Sequence, residues 1–73
     1  MNREKIGKKL IELRGDKSRE QVAVDLGISY PSIVSYENGG RVPRDEIKIK
    51  IANYYNTSVA TIFFNHTDTK RVI

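Results

Sequence analysis

Between Ser18 and Gly39 the sequence reads SREQVAVDLGISYPSIVSYENG, and this one stretch carries two helix starts and two helix stops. Ser18 followed three residues later by Gln21 is a capping box, in which side chains at both positions satisfy free backbone donors. Val22, Ala23 and Leu26 then supply an apolar face, and Gly27 suits the left-handed position that ends a helix. Ser29 offers a new cap almost at once. Pro31 falls in the first turn, where its missing N–H is no loss. Ile33 and Tyr36 can face inward while Tyr30, Ser32 and Ser35 point elsewhere, and Asn38-Gly39-Gly40 stops the helix. Small Ala23 lets the two helices cross closely. This spacing fits a helix-turn-helix, whose second helix can lie in a DNA major groove. It also fits a structural corner in any helical bundle.

The flanking segments read as helices too. Asn2 can cap a first helix whose Ile6, Leu10 and Leu13 form one stripe as far as about Arg14. Gly15-Asp16-Lys17 breaks that pattern. After the loop Arg41-Val42-Pro43, Asp45 and Glu46 suit the first turn of a fourth helix with Ile47, Ile51, Tyr54 and Tyr55 as its buried side. Asn56-Thr57-Ser58 is a tight joint, with Ser58 capping a short fifth helix that carries Val59, Ile62 and Phe63. The expectation is an all-α fold of five short helices, a single domain over residues 1–64 with a polar tail over 65–73.

Composition narrows the chemistry. The chain has 73 residues, 30% of them charged, with no cysteine and a single histidine, His66. A disulfide framework, a thiolate zinc site and an iron–sulfur cluster are excluded, and no metal or cofactor is expected. Nothing resembles a nucleophile–base pair, so no enzymatic activity is expected. No apolar run reaches the ~20 residues of a membrane span and no signal peptide opens the chain, which predicts a cytoplasmic protein. The net charge is +4, unevenly placed. Residues 1–19 hold seven bases and three acids, whereas residues 20–40 hold Glu20, Asp25 and Glu37 and no base. Residues 41–56 return to four bases against two acids. Two basic flanks around a centre without a base fit a protein that grips an anionic partner at its edges.

The residues IGKKLIELR, VAVDLGIS, SIVSYENG and RVPRDEIKIKIANYYNTSVATIF together resemble the XRE/Cro-type helix-turn-helix regulators of bacteria and phages. The resemblance spans roughly Ile6 to Phe64, and the Glu-Asn-Gly followed by Arg-x-Pro is its most specific part. It implies a five-helix lambda-repressor-like DNA-binding domain with the motif at about residues 18–38, in a bacterial or phage-encoded protein. It also implies that Arg19, Tyr30, Pro31, Val34 and Ser35 read bases. Lys17, Ser18, Ser32, Asn38 and Arg41 would contact the DNA backbone, and Arg14 and Glu37 would form an ion pair between the first and third helices. The chain departs from the family in Arg19, where glutamine is usual, in Pro31, and in a shorter first loop. Asp45 and Lys48 stand where leucine is frequent, with Ile47 expected to supply the missing core contact.

The function so implied is a sequence-specific transcriptional regulator, a Cro-like repressor that acts by occupying a pseudo-palindromic operator as a homodimer. Phe63, Phe64 and Ile49 are the candidate dimer residues, since adjacent Phe63 and Phe64 cannot both point inward. The competing reading is an antitoxin-like protein-interaction module on the same fold.

Overall fold

The computed structural model describes residues 2–64, and each helix in it begins or ends on chemistry that its own residues supply. Helix α1 spans Arg3–Arg14, α2 Arg19–Leu26, α3 Tyr30–Asn38 and α4 Asp45–Tyr54, and a π-helical turn over Ala60–Phe64 completes the five. No strand occurs among the described residues. The tail over 65–73, with His66, lies outside them.

Side-chain oxygens start the helices. Asn2 accepts from the Lys5 N–H at 3.0 Å, Ser18 from Gln21 at 3.0 Å, Ser29 from Ser32 at 3.2 Å and Ser58 from Thr61 at 3.0 Å. Each bond satisfies one of the four donors that a helix start leaves free. The capping box at Ser18 is only half made, because the Gln21 amide turns outward and donates to Asp25 Oδ1 at 2.7 Å.

The ends of α2 and α3 share one closure. Gly27 adopts φ 70° and ψ 34°, the left-handed region that a Cβ disfavours. There its N–H reaches the Val24 carbonyl while Ile28 N–H reaches Ala23, a Schellman pair. Gly39 and Gly40 repeat it on Tyr36 and Ser35, and Asn56 with Thr57 repeats it on Asn53 and Ala52 at the end of α4. Asn56 is the one non-glycine among the described residues with positive φ.

One core joins all five elements: Ile6 and Leu10 from α1, Val22, Ala23 and Leu26 from α2, Ile33 and Tyr36 from α3, Ile51 and Ala52 from α4, and Ile62 and Phe63. Burying an aliphatic or aromatic side chain here contributes about 1.5–3 kcal/mol. The fifth helix, expected to carry Val59, Ile62 and Phe63, has a wider π winding that sets the consecutive residues Ile62 and Phe63 both fully inside and turns Phe64 out.

Helix α4 departs from expectation in two places. Ile47 is half-buried against the core, but Lys48, one residue on, is itself buried. Its ammonium lies 5.7 Å from the Phe63 ring centre and 5.1 Å from that of Phe64, and pairs with Asp45 Oδ1 at 3.4 Å. Tyr54 and Tyr55 are only half-buried, and the Tyr54 hydroxyl bonds Lys17 and Asp25 at the surface.

Candidate functional site

Helix α3 is fixed in place by a carboxylate near its end. The Glu37 side chain is 3% exposed and meets two arginines. Arg14 grips it with both arms of its fork, Nε to Oε2 at 2.7 Å and Nη2 to Oε1 at 3.2 Å, and also donates to the Lys17 carbonyl at 2.8 Å. Arg19 adds a third bond, Nε to Oε1 at 2.9 Å. This single acid therefore ties the end of α1, the following turn and the start of α2 to α3. Bidentate Arg–carboxylate geometry sets orientation as well as energy.

A close backbone approach completes the fit. Gly7 is buried where α1 crosses the end of α3, and a Cβ there would overlap the Glu37 carbonyl group. The sequence reading singled out neither this position nor its role. The available signal is a glycine inside a helical stripe, beside Ile6 and before Leu10.

So held, α3 presents Tyr30, Pro31, Val34, Ser35 and Asn38 to solvent, lining one shallow concavity that ends at Gly40. Four of the five expected base readers are thus gathered, with Asn38, expected at the backbone, among them. The fifth, Arg19, stands at the start of α2 with its side chain 35% exposed and its Nε on Glu37. The Glu37 carboxylate, and next the Tyr30 hydroxyl, hold its guanidinium above the ordinary arginine range.

The expected backbone contacts divide. Ser18 Oγ accepts the Gln21 N–H as the α2 cap and keeps its O–H to donate. Ser32 Oγ accepts from Arg41 Nη2 at 2.8 Å and from the Ser29 hydroxyl at 2.9 Å, and the Arg41 guanidinium lies 5.3 Å over the Tyr36 ring. Ser32 and Arg41 therefore share a second cleft, which Arg44 also lines. The sequence reading missed Arg44. Its signal is a basic residue at the N-cap of α4, where the helix dipole disfavours a cation and no side-chain cap bond forms.

Lys17 is not brought to this group. Its ammonium donates to the Tyr54 hydroxyl at 3.1 Å and lies 4.6 Å from that ring's centre. Tyr54 in turn donates to Asp25 Oδ2 at 2.6 Å. That bond, followed by the one from Gln21, holds the Asp25 carboxyl below the usual range.

Among the expected dimer residues, Phe63 is fully buried in the chain's own core and offers no surface to a partner. Phe64 and Ile49 are 44% and 54% exposed and line one apolar depression with Val59.

No described helix is long and apolar enough to cross a membrane, and the described residues contain no cluster of three or more potential metal ligands. A helix-turn-helix family model matches residues 8–62, most of the chain. No curated protein and no solved structure matches it.

Proposed function

Because the chain belongs to the XRE/Cro-type helix-turn-helix family of DNA-binding regulators, we propose that it is a Cro-like repressor acting by operator occupancy. The observation that carries this reading is the exposed side of α3. It is uncharged and uncommitted to the core, with Arg19 beside Tyr30 and with Arg41 and Arg44 in the second cleft, which Ser32 of the same helix lines. A helix of this kind enters a major groove, where base edges are read, while the flanking cations meet phosphates. Phosphate contacts supply affinity and register without sequence information.

In this reading Tyr30, Pro31, Val34 and Ser35 meet base edges, with Arg19 beside them still able to use its outer N–H groups. Ser18, Ser32, Asn38 and Arg41 hold the backbone, and Lys17 joins them only if its ammonium leaves Tyr54. The domain is residues 1–64, in a cytoplasmic protein. One α3 covers few base pairs, so two copies would occupy half-sites about 34 Å apart on a pseudo-palindrome. Phe64 and Ile49 are the surface for that pairing.

Selection of bound fragments from random duplex DNA tests the proposal, with an inverted repeat as the expected product. Failure to enrich any duplex, with capture of a stoichiometric protein partner instead, would favour the antitoxin-like module.

A further inference from the structure

The exposed side of α3 is unusual in what it lacks. Its one charged residue, Glu37, is buried on Arg14 and Arg19. The nearest guanidiniums come from outside the helix, Arg19 with its Nε on Glu37 and Arg41 with one Nη on Ser32. A bidentate arginine on guanine, the commonest specific contact, is therefore not built into this helix, nor is a free carboxylate for the cytosine amine.

What the helix offers instead is an apolar centre. Pro31 and Val34 are three residues apart, so their side chains are neighbours on one side of the helix. Tyr30 and Ser35 border them in the same concavity. Among the base edges of the major groove only thymine presents an apolar group, its C5 methyl. A polar edge laid on Pro31 and Val34 would lose its water without gaining a partner, whereas a methyl gains by leaving water.

We infer that Pro31 and Val34 form a thymine-methyl site, and that the position of a methyl group, rather than a guanine, is the principal mark this protein reads. The inference rests on the proposed DNA-binding function. It deepens that function by naming the chemical group recognised.

The test uses the full chain and the operator recovered by selection from random duplexes. Each thymine is replaced singly by deoxyuridine, which removes only the methyl, and affinity is measured by fluorescence titration. One thymine per half-site should show a loss of about fourfold, the worth of one buried methyl, and replacing both should multiply the losses. In Val34→Ala the same replacement should have little further effect. Val34→Thr, which keeps the shape, serves if the alanine variant does not fold. An enriched operator in which no deoxyuridine replacement changes affinity overturns the methyl site and leaves DNA binding standing. If no duplex is enriched, the DNA-binding function falls, and this inference with it.

Discussion

Removing the Glu37 carboxylate tests the junction on which the orientation of α3 depends. Glu37→Ala leaves the Arg14 guanidinium, 16% exposed, with Nε and Nη2 unpaired and only Nη1 still bonded, to the Lys17 carbonyl. Breaking one partner of a buried ion pair destabilises by about 3–5 kcal/mol. Arg19 can turn its more exposed guanidinium into water, so Arg14 sets the size of the loss. The lower end, about 3 kcal/mol, is therefore expected. A chain of 73 residues has a total stability of about 4–11 kcal/mol, so this is a large share. With Tm moving about 4–8 °C per kcal/mol in a domain of this size, the melt should fall by about 12–24 °C. Thermal melts followed by far-UV circular dichroism read it directly. The double variant with Arg14→Ala should lose less than the sum of the two single changes, because the stranded cation has gone. A Glu37→Ala melt within about 3 °C of the parent would refute the argument that this pair anchors the helix.

Other outcomes are expected from the same geometry. Gly7→Ala should destabilise by about 1–3 kcal/mol in a denaturant titration, because overlap with the Glu37 carbonyl outweighs the ~1 kcal/mol that alanine adds to a helix; a stabilised variant would mean that α1 shifts freely. Burial, with a smaller contribution from Glu37, pushes the Tyr55 hydroxyl up to about 12, against about 10 in an unfolded chain. The raised value stabilises the fold fully below pH ~10 and that contribution is lost as pH rises toward 12. Melts across this range should decline more gently in Tyr55→Phe, and identical profiles would dismiss the effect. Tyr30→Phe should weaken operator binding by about 1–3 kcal/mol and leave random duplex almost unaffected. Arg41→Ala should weaken both alike and flatten the salt slope by about one phosphate contact, and equal weakening of both duplexes by Tyr30→Phe would make Tyr30 a phosphate contact.

Local signals carried the helix boundaries, because a cap is a contact between residues three apart and is written into adjacent sequence. Ser18, Ser29 and Gly27 could be read that way. Contacts between distant segments could not. The overlap that bars a side chain at Gly7 involves a carbonyl thirty residues away, and no periodicity reveals it. Lys48 is buried with its ammonium over two phenylalanines from the last turn and on Asp45 Oδ1 at 3.4 Å, which reverses the usual placement of lysine outside. The winding of that turn depends on the core it fills, so the sequence shows a short helix carrying Val59, Ile62 and Phe63 but not its π geometry. Arg19 is the instructive case at the site itself. Its family position marks a DNA contact, but here its Nε, at the reach of a glutamine amide, is spent on Glu37, and only the guanidinium beyond it is left for DNA.

The fastening of α3 has a consequence for exchange of specificity. The helix is secured by the Ser29 cap, the closure at Gly39, the Glu37 bonds and the inward pair Ile33 and Tyr36. The side chains at positions 30, 31, 34, 35 and 38 make none of those contacts, Tyr30 meeting only the Arg19 guanidinium, so stability and recognition fall largely on separate residues of one nine-residue helix. A set of side chains transplanted to those five positions should therefore rewrite the preferred operator while the scaffold melts as before. Residues that choose the target can then drift, generation by generation, without first passing through an unfolded protein.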